Sequence, residues 1–168
     1  MKMESTLIAM VEDKPGVLNR VASLFRRRAF NIESLTVGHT EQPGVSRMTI
    51  VVDSDRTDVR KVAQNLYKLV NVIQVEDVTE RRSVMRDLAL IRVRANGGTR
   101  SEVMQIVDTF RARVVDVGLD TLMVEVTGTE EKVNGLVEVL RPFGILEMVR
   151  TGRVAMVRGG NGAKNDEQ

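Results

Sequence analysis

The feature that most constrains the fold is one order of hydrophobic patterns that occurs twice along the chain. In residues 4–80 an apolar run is followed by an amphipathic stretch, two stretches rich in β-branched residues, a second amphipathic stretch and a final apolar run. From residue 86 the same order returns. Apolar residues at 3.6-residue spacing indicate helices, and short β-branched runs with alternating polarity indicate strands. The sequence therefore predicts two tandem βαββαβ units.

The first unit, 4–80, opens with a strand at 7–11, an unbroken apolar run typical of a covered strand. Helices are predicted with apolar stripes over 17–25 and 59–70, the second capped by Ser54 and Asp55. A hairpin of strands at 31–37 and 45–52 surrounds the turn at 42–44, and a strand follows at 72–78.

A charged connector at 81–85 precedes the second unit, 86–158. Thr99 and Glu102 have the spacing of a capping box, and Thr129 is placed to cap the last helix. The predicted strands are listed in chain order: 88–93, 114–117, 121–126, 145–149 and 154–157. The tail, 159–168, is polar and glycine-rich, which predicts disorder.

Each βαββαβ unit is expected to form a four-stranded antiparallel sheet with both helices on one face. The fold class is thus α+β, with two ferredoxin-like domains in tandem. With about 75 residues, each unit is small for an independent domain, and the helix-free face of each sheet needs cover. We therefore expect association between units and between chains.

Composition excludes several classes of function. The chain has no cysteine and one histidine, His39, which removes thiolate chemistry, disulfides and most metal sites. Lys and Arg number 25 against 23 Asp and Glu, so charge indicates neither a nucleic-acid nor a membrane partner. No apolar run is long enough to span a membrane and no secretory signal is present, so we expect a soluble cytoplasmic protein.

The junction at 12–18 between the first strand and the first helix is the sharpest candidate site. Free N–H groups at a helix start attract an anion, and Gly16 would let a ligand approach the backbone. The Asp13 carboxylate could accept an ammonium, so one amino acid would satisfy both groups. The residues alone leave another interpretation open, in which Asp13 only caps the helix and Pro15 and Gly16 only turn the chain.

This junction, VEDKPGVL at 11–18, together with FNIESLTV at 30–37 and SRMTI at 46–50, resembles the small regulatory subunits of acetolactate synthase (acetohydroxyacid synthase). The likeness continues through 68–72, 86–91, 110–112, 115–117 and 150–152, and so covers nearly all of 4–159. The resemblance implies an N-terminal ACT domain, which is a βαββαβ amino-acid sensor, followed by a second, ACT-like domain.

The resemblance also implies that the N-terminal domains form a homodimer edge to edge and that valine binds at the junction between the chains. Backbone N–H groups at the helix start would hold the valine carboxylate, Asp13 and Asn31 its ammonium, and Val17 and Ile32 its side chain. Carried onto this sequence, the effector site consists of Asp13, Gly16, Val17, Leu18, Asn31 and Ile32.

The sequence departs from the family pattern at two single residues and in the last predicted strand. Asp13 stands where many members have Asn, and Ala29 stands where most have Gly, at the exit of the first helix. A left-handed backbone would cost Ala29 roughly 1 kcal/mol, so the chain is expected to leave that helix differently. The last strand, at 154–157, lacks a common Leu-Ser pair and is given no functional weight.

The function that the resemblance implies is regulatory: a non-catalytic subunit that activates the large catalytic subunit and confers valine feedback inhibition in branched-chain amino-acid biosynthesis. Thiamine diphosphate, magnesium and FAD would belong to that partner, since this chain has no glycine-rich phosphate motif. The alternative is a free-standing ACT-type sensor for another client enzyme. An RNA-binding module would need sheet aromatics, which are scarce here, and a self-sufficient enzyme has the least support.

Overall fold

The computed structural model describes residues 2–159, so the predicted tail lies outside the described residues except for Gly159. Contacts divide the chain into two compact units. The first unit contains the chain up to Val84 and the segment that begins at Arg153, and the second unit is Met85–Gly152.

The first unit has the predicted βαββαβ order, and its strands pair antiparallel in the order β2-β3-β1-β4. β2 and β4 are therefore the edge strands. The elements are β1 (Glu4–Glu12), α1 (Val17–Arg27), β2 (Ile32–His39), β3 (Val45–Asp53), α2 (Val59–Tyr67) and β4 (Val72–Asp77).

The second unit repeats this order, with strands paired β6-β7-β5-β8. Its elements are β5 (Ser83–Arg94), α3 (Arg100–Thr109), β6 (Arg113–Val117), β7 (Thr121–Gly128), α4 (Glu130–Leu140) and β8 (Ile145–Arg150). The last strand of the described residues, β9 (Val154–Val157), lies in the segment that belongs to the first unit. β5 begins at Ser83, so part of the predicted connector at 81–85 is strand.

Each core lies between one sheet face and two helices, because alternate strand residues point to the same side. The fold class is confirmed in both units. In the first core, strand residues pack against both helices: Leu7, Ala9, Val11, Met48, Ile50 and Val52 against Val17, Val21, Leu24, Val62 and Leu66. The second core is built the same way, with Ala89, Ile91, Val93, Leu122, Val124 and Val126 against Val103, Val107, Val133, Leu136 and Leu140.

The C-terminal segment belongs by its contacts to the first unit, although the sequence analysis placed 86–158 in the second. Arg153 Nη2 lies 3.0 Å from Glu4 Oε2, and its Nη1 donates to Thr6 Oγ1 at 3.2 Å. Arg47 Nη2 donates to the Ala155 carbonyl at 2.7 Å. Thr6 and Arg47 alternate with core residues along β1 and β3, so this segment contacts the helix-free face of the first sheet.

One predicted helix cap is wrong, one is confirmed in position only and one is confirmed in full. Asp58, and not Ser54 or Asp55, caps α2 by accepting the Arg60 N–H, and this backbone hydrogen bond lowers the Asp58 pKa. Thr99 is the N-cap residue of α3 as predicted, but its side chain makes no cap bond, and the Asn96 side chain accepts the N–H groups of Gly98 and Thr99 instead. Thr129 caps α4 as predicted.

Both units leave their first helix through a left-handed residue that is not glycine. Ala29 has φ 52° and Arg111 has φ 54°. Phe30 N donates to the Phe25 carbonyl at 3.0 Å, and Ala112 N donates to the Val107 carbonyl at 2.9 Å, the longer bond of a Schellman turn. The expectation that Ala29 would avoid this conformation is therefore wrong, because the turn bonds hold it there.

Candidate functional site

The start of α1 presents several backbone donors without an acceptor, among them the N–H groups of Gly16 and Leu18. Gly16 is the N-cap residue with φ 85° and makes no side-chain cap bond, so the interpretation of Asp13 as a helix cap is wrong. Val17 N donates to the Lys14 carbonyl at 3.3 Å, whereas within residues 2–159 the N–H groups of Gly16 and Leu18 donate to nothing. Exposed amides at the positive end of a helix form an anion site.

Asp13 lies beside this helix start and is anchored to the β2–β3 hairpin. Its backbone N donates to the Gly44 carbonyl at 2.8 Å. Its Oδ2 lies 3.3 Å from His39 Nδ1, and about half of the side chain is exposed, at 46%. A carboxylate is thus held three residues before Gly16, where the free amides begin. This arrangement presents an acceptor for a cation beside donors for an anion, which matches the two charges of an amino acid.

The neighbouring charges are paired with each other. Lys14 Nζ lies 2.6 Å from Glu12 Oε2, and this hydrogen bond lowers the Glu12 pKa. The Glu12 carboxylate is therefore paired with the Lys14 cation, whereas the Asp13 carboxylate contacts the His39 imidazole.

The two apolar residues of the helix start point in different directions. The Val17 side chain is 4% exposed and packs in the core, so this residue offers a ligand no side-chain surface. Leu18 is 49% exposed. Leu18 is therefore the apolar side chain that this helix start presents to solvent, a role that the resemblance assigned to Val17.

Asn31 and Ile32 lie where α1 connects to β2. Asn31 Nδ2 donates to Asp53 Oδ2 at 3.0 Å, and Asn31 N donates to Thr57 Oγ1 at 3.0 Å. Ile32 is half-buried against the core. The Asn31 amide thus ties the connector after α1 to the connector after β3, while among the described residues nothing donates to its side-chain oxygen.

The predicted effector residues form two groups at opposite ends of the first sheet. His39, which contacts Asp13, pairs with Ser46 at the start of β3, whereas Ile32 pairs with Val52 near its end. Six strand residues separate these pairs, a distance of roughly 20 Å. A single chain therefore does not bring Asp13, Gly16, Val17 and Leu18 together with Asn31 and Ile32.

The two edges of this sheet differ. On β4, the Val75 N–H donates to the Tyr67 hydroxyl at 2.9 Å, and that hydroxyl donates to the Val75 carbonyl at 3.0 Å. Tyr67 therefore occupies backbone groups that an incoming strand would need. β2, in contrast, pairs only with β3 among the described strands, so the backbone groups on its outer side have no strand partner there. β2 is the edge that remains open to another strand.

Arg20 is a residue of the site that sequence reasoning missed. Its Nη1 donates to Asn71 Oδ1 at 2.6 Å. Its Nη2 lies 3.9 Å from the position that a Cβ on Gly16 would take. The available signal was spacing, because residues four apart on a helix are neighbours, and this spacing places a guanidinium beside the free amides.

The structure also bears on metal sites and membrane spans. In residues 2–159 no group of three His, Asp or Glu side chains could hold a metal ion. No helix of that part of the chain is long and apolar enough to cross a membrane.

Comparison with known proteins identifies relatives of both units. Residues 7–74 match the family model described as an AHAS small subunit-like ACT domain, and residues 86–159 match the model described as the small subunit of acetolactate synthase. The probable acetolactate synthase small subunit of Archaeoglobus fulgidus is 54% identical over 157 residues, covering 94% of this chain and 98% of the relative. The acetolactate synthase small subunit of Mycobacterium leprae is also 54% identical, with coverage of 94% and 93%.

The crystal structure of an acetolactate synthase small subunit from Thermotoga maritima superposes with a TM-score of 0.87 at 38% identity. The match covers 94% of this chain and 99% of that one. The sequence comparisons and the structural comparison therefore both extend over the two units.

Proposed function

Because the chain belongs to the family of acetolactate synthase small subunits, we propose that it is a non-catalytic regulatory subunit, which activates the large catalytic subunit and confers feedback inhibition by valine. The observation that carries the effector assignment is the pair of free amides of Gly16 and Leu18 beside the Asp13 carboxylate. The large subunit is the partner that the name of the family implies.

In this proposal the valine carboxylate accepts from the Gly16 and Leu18 amides at the positive end of α1. The ammonium donates to Asp13, and the branched side chain packs on exposed Leu18. Arg20, bound to Asn71, adds positive charge on the carboxylate side. A neutral apolar ligand would leave the amides and the carboxylate unmatched, so the site favours a zwitterion.

The rest of the effector site comes from a second copy. Antiparallel pairing of two β2 strands about Leu35 would place Asn31 of one copy opposite His39 of the other. That pairing brings Asn31 and Ile32 of each chain to the Asp13 and Gly16 group of its partner. The open β2 edge and the Tyr67 bonds on β4 both favour β2 as the edge that forms the homodimer.

The chemistry of acetolactate synthesis then belongs to the large subunit, which would carry thiamine diphosphate, magnesium and FAD. This chain has no glycine-rich phosphate motif for such cofactors and no cysteine nucleophile. The proposal places the holoenzyme in the cytoplasm.

The test is valine binding to the purified subunit by calorimetry, together with valine titration of the reconstituted holoenzyme. Gly16→Asp puts a carboxylate where the effector carboxylate is held. Loss of one charge-assisted hydrogen bond costs about 1.5–3 kcal/mol, which is roughly ten- to 150-fold in affinity. Valine inhibition should collapse while activation of the large subunit persists.

Gly144→Asp, in the second unit, is the matched control. Gly16 and Gly144 have φ 85° and 100°, and the nearest atoms to a Cβ at either position belong to an arginine side chain. The two variants therefore carry the same charge change on a left-handed backbone, but only Gly16→Asp alters the start of α1. Equal loss of valine affinity in both would attribute the effect to strain and refute the site.

The reconstitution also separates the proposed function from the alternative. Valine binding without any activation of the large subunit would identify a free-standing sensor for another client enzyme. Acetolactate synthesis by this chain alone, with thiamine diphosphate and pyruvate, would refute the non-catalytic assignment.

A further inference from the structure

Six basic side chains gather at one end of the first unit, and we call this set the basic end. Its members are Arg26, Arg27 and Arg28 at the end of α1 and Arg56, Arg60 and Lys61 around the start of α2, and all six are exposed. The connectors after α1 and after β3 are joined by the bond from Asn31 N to Thr57 Oγ1 and by the bond from Asp53 N to the Asn31 carbonyl. These bonds bring the two groups of cations to the same end of the sheet.

The carboxylates at this end are already engaged in holding the fold. Asp53 accepts from Asn31 Nδ2 and lies 3.8 Å from Arg56 Nε. Asp55 accepts the Met3 N–H, and Asp58 caps α2 while lying 3.5 Å from Arg60 Nε. Within the described residues no carboxylate lies within salt-bridge distance of Arg26, Arg27, Arg28 or Lys61. The basic end therefore carries positive charge that its own surroundings do not neutralise.

This arrangement is electrostatically unfavourable in the isolated subunit. Arg60 and Lys61 lie in the first turn of α2, at the positive end of the helix dipole, where carboxylates are preferred. The three consecutive arginines of α1 are favourable toward their own helix end but repel one another. The chain as a whole has a net charge of only +2, so the basic end is a local concentration of positive charge and does not reflect an overall basic composition.

We propose that the basic end docks against an acidic surface of the large catalytic subunit, an inference that rests on the proposed function. Charge complementarity of this kind speeds association and fixes orientation. A nucleic acid is the other polyanion that such a patch would attract. The aromatic residues next to the patch, Phe25 and Phe30, pack in the core and offer no stacking surface, which favours the protein partner.

The experiment measures the affinity of the full-length subunit for the large subunit, from activation titrations at low and at high potassium chloride. Two double variants, R26Q/R27Q and R60Q/K61Q, remove charge from either half of the basic end while keeping a polar side chain of similar helix propensity. The matched control is R111Q/R113Q, which removes two exposed arginines after the first helix of the second unit.

Each double variant of the basic end should lower the affinity about two- to thirty-fold at low salt, from two exposed ion pairs. The difference should shrink at high salt because screening weakens exposed pairs. The control should keep wild-type affinity, and all three variants should keep the wild-type Tm in differential scanning calorimetry, which shows that they fold.

Wild-type affinity in both double variants at low salt would overturn the inference while leaving the proposed function intact. An equal loss in the control would overturn it as well, because the effect would then follow net charge and not this surface. RNA binding by the wild-type subunit that both double variants lose would assign the patch to nucleic acid. A wild-type subunit that binds no large subunit would refute the proposed function itself.

Discussion

Ala29→Gly should stabilise the protein, although it removes a methyl group from a helix exit. Ala29 has φ 52° and is exposed, so its side chain contributes conformational strain and little packing. The left-handed conformation costs a non-glycine residue roughly 1–2 kcal/mol. Glycine avoids that cost but loses roughly 0.5–1 kcal/mol more backbone entropy on folding. The expected net gain is about 0.5–1 kcal/mol.

For a unit of this size, 1 kcal/mol corresponds to a shift of about 4–8 °C in Tm, so an increase of about 2–8 °C is expected for the first unit. Differential scanning calorimetry and urea unfolding of the isolated subunit measure it. Ala22→Gly is the matched control, because Ala22 is also exposed but lies inside α1 with helical geometry. That variant should be destabilised by roughly 0.5–1 kcal/mol.

The strain argument predicts opposite signs for the stability changes of Ala29→Gly and Ala22→Gly. If both alanine-to-glycine variants lose stability equally, the strain at Ala29 is not stored in its backbone and the reasoning is refuted. Arg111→Gly, at φ 54° in the second unit, should repeat the gain of Ala29→Gly, which tests whether the conformation or the particular neighbourhood is responsible.

Three further predictions follow from single contacts. Tyr67→Phe frees the Val75 N–H and carbonyl on the β4 edge, so light scattering should detect species larger than the wild type at high concentration; an unchanged size distribution would contradict the edge-blocking role. Arg153→Met leaves the half-buried Glu4 carboxylate without the arginine that it contacts, and urea unfolding should show a loss of about 1.5–3 kcal/mol in the free energy of unfolding. The double variant with Glu4→Gln should recover part of that loss. The backbone hydrogen bond from Arg60 lowers the pKa of Asp58 in the native state. The stabilisation by Asp58 is therefore present above the unfolded-state pKa of an aspartate, and it is lost as pH falls through the lowered native pKa. Asp58→Asn should lose less stability on acidification than the wild type.

The order of elements was predictable because it depends on periodicity, which is a property of neighbouring residues. Val17, Val21 and Leu24 recur at helical spacing and do pack in the core. The helix starts were less predictable. Several polar residues precede each helix, and loop geometry decides which one reaches the free N–H groups, as Asp58 does for α2.

The candidate site was predictable only in part. The sequence indicated a helix start with Gly16 and Asp13, and the structure adds that its Gly16 and Leu18 amides are free. Helix register, which buries Val17 and exposes Leu18, could not be read from the motif alone. The separation of Asn31 from Gly16 along the sheet depends on strand pairing, which is a long-range property.

The return of the C-terminal segment to the first sheet has a consequence for biosynthesis. The first unit is the first part to leave the ribosome, yet Glu4 and Thr6 receive their partner only when Arg153 has been translated, after the whole of the second unit. Until then the nascent first unit keeps an unfinished sheet face, which is the kind of surface that chaperones bind. A premature stop codon just before Arg153 would leave the second unit whole and impair the unit that was made first.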